Sequence, residues 1–353
     1  MVISPMPFRV LSFGAGAIGT YIGGSLALAG HKVVFYERPE AAARVREQGI
    51  TLQLGDLSRR VADFQVADTL TDCLTQGPYD IALLAVKSYD TEGIMQSIRP
   101  YVAALPPILC LQNGVENEKM LANTVGESRV IAGTVTSAVG RRDAGDVVLE
   151  KFRGIGVASG HPLAAGLVAA MNSAGLNARL YPDAASLKWS KMLTNLMANA
   201  SSAILGMAPA EIYAHPGLFS LEIDQMREAL AVMGKMKIPV TDLPGTPVRV
   251  LAALVRYLPA SWLRPLLSRA LSQGRGAKMP SFYLDLVGGR GKSEVTYLNG
   301  AVTRFGSRLG VFTPVNQVYT EVLAALTCGG MARADFDHQP GALITLVQQA
   351  RRQ

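Results

Sequence analysis

Three residues spaced four apart, Lys191, Asn195 and Asn199, set an ammonium in line with two carboxamides. On an α-helix such residues climb one stripe, about 6 Å per step. The stretch from Lys188 to Asn199 reads as that helix. Trp189, Leu193, Leu196, Met197 and Ile204 fall on its opposite, core-facing side. Lys188, Thr194 and Ser202 lie near the polar stripe, with Lys188 and Thr194 expected as solvated neighbours. Asparagine is a poor mid-helix residue because its amide competes for backbone hydrogen bonds. Two of them above a lysine make a row of donors and acceptors aimed at a ligand; the plainer alternative is a solvated helix face. A protonated lysine can polarise a carbonyl and give up a proton, which is what hydride addition to a carbonyl requires at the oxygen. Other acids fit less well. The histidines (His31, His161, His215, His338) do not cluster, and no tyrosine is followed four residues later by lysine. Glu294 is a candidate to hold the Lys191 ammonium and bias its pKa. Asn195, Asn199 and Ser281 are candidates for substrate hydroxyls and carboxylate.

A hydride needs a carrier, and the start of the chain offers a place for one. Phe8 to Phe13 reads as a strand, Gly14-Ala15-Gly16-Ala17-Ile18-Gly19 as a turn opening a helix to Gly30, and His31 to Glu37 as a second strand. Gly14 permits the tight turn, Gly16 lets backbone approach a pyrophosphate, and Gly19 lets helix and strand pack closely. The helix N-terminus then binds phosphate through free N–H groups and its dipole. At the end of the second strand, Glu37 sits where an acid would bind the ribose 2′-hydroxyl of NAD. Arg38 sits where a cation would pair with the 2′-phosphate of NADP. Only one of them can face the site; Arg44 and Arg46 add charge nearby, and NADP is favoured. Tyr79 to Val86 and Pro107 to Leu111 read as further strands. Ligands bind outside the carboxyl ends of parallel strands, so Lys87 and Asn113 are placed to reach cofactor or substrate.

Composition agrees with an enzyme of small molecules. At 49% hydrophobic and 17% charged, the 353 residues are those of a globular chain long enough for two cores. The net charge of +7 comes from scattered Lys and Arg with no nucleic-acid motif, so it is read as attraction for anionic substrates or a phosphorylated cofactor. Cys73, Cys110 and Cys328 have no metal-site spacing and are expected as reduced cytoplasmic thiols. No signal peptide or membrane span is expected.

The expected architecture is an α/β, Rossmann-type dinucleotide-binding domain over 8–182, followed by an all-α domain over 183–335. Val130 to Val139 and Asp146 to Val157 alternate like antiparallel strands extending the first sheet, which Asn177 to Leu180 closes. Helical periods dominate from Ala184 on. Val248 to Ala270 is apolar, with Arg249, Arg256, Arg264 and Arg269 spaced through it and breaks at Pro259 and Pro265. Ordinary packing is expected there, with a basic amphipathic hairpin as the alternative. After a loop from Gly274 to Pro280, Ser281 is expected as a helix N-cap, Glu294 leads into another helix, and Gly310 to Asn316 leads into the last long one.

In this order, Gly14 to Gly19, Val86-Lys87-Ser88-Tyr89-Asp90, Leu111-Gln112-Asn113-Gly114-Val115, Trp189 to Asn199, Pro280-Ser281 and Glu294 with Tyr297-Leu298-Asn299-Gly300 resemble ketopantoate reductases. The resemblance runs from about Arg9 to Ala325. It implies NADPH-dependent reduction of 2-dehydropantoate to (R)-pantoate, in pantothenate and coenzyme A biosynthesis, by a cytoplasmic homodimer. It implies Lys191 as catalytic acid, assisted by Glu294. Substrate would be bound by Asn195, Asn199 and Ser281. Lys87 and Asn113 would lie where nicotinamide, ribose and substrate meet, and Arg38 would meet the 2′-phosphate. The segment from Leu243 to Ala277 is longer than the usual family connection. Alternatives are a relative acting on another branched 2-oxo acid or an imine, and a non-catalytic NADP-binding sensor or interaction protein.

Overall fold

In the first strand, β1 (Arg9–Phe13), Val10 packs into the core on one face of the sheet and Leu11 and Phe13 into the core on the other, so all three are almost wholly buried, and parallel strands flank β1 on both sides. Those flanking strands are β2 (Lys32–Tyr36) and β6 (Ile81–Leu84), with Val10 level with Val33 on one side and Ile81 on the other. In the computed structural model, which describes residues 7–265 and 278–352, β1 lies within an eight-stranded sheet of order β12-β11-β8-β7-β6-β1-β2-β5. Its other members are β5 (Gln65–Ala67), β7 (Ile108–Cys110), β8 (Val130–Val135), β11 (Ile155–Ala158) and β12 (Ala178–Tyr181). All neighbours pair parallel except β8 with β11.

The two alternating stretches do not simply extend this sheet. Each divides at a turn, and the inner halves, β9 (Ala138–Asp143) and β10 (Asp146–Lys151), leave it. With β3 (Ile50–Leu54) and β4 (Leu57–Val61) they form a second, four-stranded sheet of order β4-β3-β10-β9. Helix α1 (Ala17–Leu28) packs against both sheets. A Cβ on Gly23 would meet the Phe35 ring at 2.7 Å, and one on Gly24 would meet Leu52 at 3.1 Å. Two adjacent glycines let β2 and β3 approach α1, and the run from Gly19 to Ala27 is buried throughout. The remaining helices of this region are α2 (Pro39–Gln48), α3 (Leu70–Thr75), α4 (Thr91–Ile98), α5 (Asn117–Val125) and α6 (Ala164–Ser173).

The chain divides into two units. One runs to Lys188 and includes Leu243–Thr246; the other holds Trp189–Asp242 and everything from Pro247 on. Helix α7 (Ala184–Leu196) therefore begins in the first unit and ends in the second. The second unit is helical among the described residues: α8 (Ala200–Leu205), α9 (Pro209–Ala214), α10 (Pro216–Lys235), α11 (Val248–Tyr257), α12 (Ser281–Val287), α13 (Asn299–Leu309), α14 (Pro314–Cys328) and α15 (Pro340–Ala350). Helix α10 is its axis, touching α9, α11, α13, α14 and α15. Helix α11 buries Val248, Ala252 and Val255, and Arg227 of α10 donates to the carbonyls of Val255 and Leu258 just past them. One face of the basic stretch thus packs on α10, while Val250, Tyr257 and Trp262 are exposed; Arg269, Gly274 and the rest of 266–277 lie outside the described residues. No helix among the described residues is long and apolar enough to cross a membrane.

Candidate active site

The glycine turn has the shape the spacing predicts. Gly14 has φ of 95°, where a side chain would be strained, and its N–H donates to the Tyr36 carbonyl at 2.9 Å. A Cβ on Gly19 would lie 2.0 Å from the Gly14 carbonyl oxygen, so the helix can start this close to the turn only with glycine there. Gly16 faces the other way: nothing stands within 4 Å of the Cβ it lacks. Gly16, Ala17 and Ile18 are half-buried, so open space lies before the first turn of α1. That is the fit a pyrophosphate requires. Glu37, not Arg38, turns toward this loop. Its Oε2 accepts the Ala15 N–H at 2.7 Å, while the Arg38 side chain is 80% exposed.

At the carboxyl ends of β6 and β7, one network ties Lys87 to Asn113. Lys87 precedes a 3₁₀ turn, Ser88–Asp90. Ser88 Oγ donates to the Asn113 carbonyl at 2.9 Å and Asn117 Nδ2 to the same oxygen at 2.5 Å. Gln112 Nε2 is shared among the carbonyls of Val86 and Lys87 and the hydroxyl of Thr91. Gly114, with φ of 93°, turns the chain directly after Asn113.

Lys188 corrects the expectation of a solvated neighbour. It is buried, forms an ion pair with Glu118 at 2.7 Å, and donates to the carbonyls of Gln112 at 2.6 Å and Gly133 at 3.2 Å. Burial alone pulls its pKa down; the Glu118 carboxylate outweighs that, and the net shift is upward, so the ammonium keeps its charge. The carbonyl it holds belongs to the residue before Asn113. Neither Lys188 nor Glu118 stands out in sequence, because the partners lie far apart along the chain.

In the second unit, Lys191 and Asn195 share a face of α7 as the spacing predicts, and both are half-buried. Trp189, Leu193, Leu196, Met197 and Ile204 are buried on the core side, Trp189 edge-on against Phe305 of α13 at 5.4 Å. Thr194 is half-buried, its hydroxyl donating to the Lys191 carbonyl, and Ser202 is fully buried. The stripe, however, stops short of Asn199. Helix α7 ends at Leu196, Ala198 takes a left-handed φ of 47°, and α8 starts at Ala200. Buried Glu222 of α10 explains the break: it accepts the Ala198 N–H at 2.5 Å and the Ser201 hydroxyl at 2.7 Å. Gln225 donates to the Leu196 carbonyl. Asn199 is thereby turned to another task, accepting the Phe282 N–H at 3.2 Å. That bond joins Asn199 to the start of α12, where Ser281 is exposed and occupies the first helical position, Pro280 being the cap. Glu294 is buried in a 3₁₀ turn, Glu294–Tyr297, that packs on α13 and α14. The predicted residues thus form two sets. The glycine turn, Glu37, Lys87 and Asn113 belong to the first unit; Lys191, Asn195, Asn199, Ser281 and Glu294 belong to the second.

Comparison with known proteins covers both sets. Residues 10–159 match the family described as ketopantoate reductase PanE/ApbA, and residues 183–327 match its C-terminal part. A 2-dehydropantoate 2-reductase of Archaeoglobus fulgidus is 26% identical over 329 residues, 91% of this chain and 98% of that protein. One of Aquifex aeolicus is 25% identical, covering 91% and 97%. Among solved structures, a PanE/ApbA family ketopantoate reductase of Ralstonia eutropha superposes with a TM-score of 0.76 at 26% identity, over 90% of this chain and 98% of that one. A D-mandelate dehydrogenase solved with NADH and anilino(oxo)acetate shares the fold, with a TM-score of 0.73 at 21% identity over 91% and 99%.

Proposed function

Since the chain belongs to the ketopantoate reductase family, we propose that it reduces 2-dehydropantoate to (R)-pantoate at the expense of a reduced nicotinamide dinucleotide. The observation that carries the reading is the row in the second unit: Lys191 and Asn195 on one helix face, then Asn199 bonded to the start of α12 beside Ser281. The dinucleotide, when bound, supplies the hydride that adds to C2. Lys191 donates a proton to the carbonyl oxygen as negative charge builds there, so that the 2-oxo acid becomes a 2-hydroxy acid and the lysine recovers its proton from water. Asn195 and Ser281 hold the substrate's hydroxyl and carboxylate, Asn199 sets Ser281 in place through its bond to the Phe282 N–H, and Glu294 keeps the ammonium oriented. Lys87 and Asn113, joined through Gln112 and Ser88, steady the nicotinamide ribose. The net charge of +7 favours an anionic substrate. The family alone supports three further parts of the reading: a step in pantothenate and coenzyme A synthesis, a cytoplasmic location and a homodimer. A dinucleotide sensor would need the glycine turn but none of the five polar residues of the second unit.

The test is oxidation of NADH or NADPH by the purified protein, measured with ketopantoate and a panel of other 2-oxo acids. Lys191→Ala should slow turnover by about 1000-fold while dinucleotide affinity stays near wild type. Folded protein that binds the dinucleotide yet oxidises none of it with ketopantoate would sink the assignment.

A further inference from the structure

The resemblance to ketopantoate reductases implies NADPH, with Arg38 on the 2′-phosphate. The groups around the end of β2 are arranged for a different ligand. Glu37 has only 12% of its side chain exposed, and its carboxylate reaches back to the glycine turn. Oε2 accepts the Ala15 N–H at 2.7 Å and Oε1 accepts the Arg38 N–H at 2.9 Å. Its own N–H donates to the Ala67 carbonyl of β5 at 3.0 Å, which fixes the backbone from which the side chain turns. Each carboxylate oxygen still has a second lone pair for a hydroxyl donor. The negative charge therefore sits at the rim of the dinucleotide loop, held there by two backbone donors.

Of the nearby cations, Arg44 and Arg46 are paired with other carboxylates, and Arg38 stands exposed beside Glu37 itself. The Arg38 side chain is 80% exposed and its nearest carboxylate contact is Glu37 itself, at 3.8 Å. Arg44 pairs with Asp143 at 3.7 Å, and Arg46 places two nitrogens 3.2 Å from Asp68 Oδ2. A 2′-phosphate brought to this rim meets the anchored Glu37 carboxylate on the side of the glycine turn, with Arg38 extended into solvent beside it. A 2′-hydroxyl meets an acceptor.

We infer that this chain prefers NADH, and that Glu37 is the residue that accepts the adenosine ribose 2′-hydroxyl and turns the phosphorylated cofactor away. The inference rests on the reductase reading only in taking a nicotinamide dinucleotide as the ligand. Like-charge repulsion at contact distance is expected to favour NADH by about 30-fold or more in dissociation constant, the gap narrowing as salt screens the site.

The experiment is titration calorimetry of the full chain with NADH and with NADPH, without a 2-oxo acid, so that binding is read apart from turnover. Wild type should bind NADH the more tightly. Glu37→Gln keeps an oxygen for the Ala15 N–H and removes the charge; it should close the gap to within a few-fold, mainly by tightening NADPH. Should that variant fold poorly, 2′-deoxy-NADH on wild-type protein reads the same contact, and its affinity should fall roughly 10-fold below that of NADH. NADPH binding as tightly as NADH or more tightly overturns the inference and leaves the reductase reading standing. So does a preference for NADH that survives Glu37→Gln, or an Arg38→Ala variant that loses NADPH far more than NADH. Failure of both dinucleotides to bind overturns the inference and the reductase reading together.

Discussion

Two turns carry the two sets of candidate residues, one in each unit, and they keep their shape by different means. The turn before α1 is permitted by residue type. Gly14 enters positive φ without a Cβ to strain, and Gly19 leaves the gap that the Gly14 carbonyl fills. The turn between α7 and α8 contains no glycine. Ala198 is held at a φ of 47° by Glu222, which takes up its N–H from the centre of the second unit. The first turn owes its conformation to residue type, is tied by Gly14 and Ala15 to the end of β2, and leaves space for phosphate; the second is borrowed from buried polar residues on α10. A turn made by tertiary hydrogen bonds has the stability of its donors and acceptors and no more.

Substitutions that cross this divide should show it. The largest effect is expected of Gly19→Ala, whose Cβ would sit 2.0 Å from a backbone oxygen. The turn must open, and calorimetry should show dinucleotide affinity reduced at least about 1000-fold, or ~4 kcal/mol. Next is Glu222→Ala, which strands the Ala198 N–H and the Ser201 hydroxyl inside the second unit. Urea denaturation should register a loss of about 3 kcal/mol, with KM for the 2-oxo acid rising as Asn199 shifts and dinucleotide affinity unchanged.

A further acid of α10, Glu228, titrates in a useful range. Burial pushes the Glu228 carboxyl up to about 7, against the pull of the Val315 and Asn316 N–H groups it accepts. A folded pKa above the unfolded value means that the folded state holds the proton more tightly. The stabilisation is then full below the ordinary value of 4.5 and is lost as pH climbs to about 7. Unfolding free energy of wild type should fall by about 3 kcal/mol over that window relative to Glu228→Gln, measured by denaturation at a series of pH values. Equal pH profiles for the two proteins would show that Glu228 does not titrate as described. The smallest effect is Ala198→Gly. Removing a left-handed alanine should raise stability by roughly 0.5–1 kcal/mol, after the entropy cost of glycine is counted. A loss of stability there would erase the contrast between the turns.

The first turn is legible in the sequence because its cause lies in its own residues: glycines at the required spacing between two apolar strands. The core face of α7 is legible for the same reason, from Trp189 to Leu196. The break at Ala198 is not, since Met197-Ala198-Asn199 carries no glycine or proline and Glu222 lies beyond two intervening helices. Lys188 could not be told from a solvated lysine without Glu118, seventy residues earlier. The second sheet escaped for a related reason: β3 pairs with β10, about a hundred residues on, and alternation alone does not say which sheet a strand joins. At Glu37-Arg38 the two adjacent residues carry opposite implications, and only the direction of the Glu37 side chain separates them.

Helix α1 lies against one sheet through Gly23 and against another through Gly24. Its mid-helix amides are exposed to solvent only if one sheet or the other comes away. Their hydrogen exchange should therefore run at the rate of global opening, while those of Ala17 and Ile18 in the first turn exchange freely. A dinucleotide bound as proposed would then meet a helix whose middle opens only with its sheets, and whatever backbone motion it arrests would lie in the first turn.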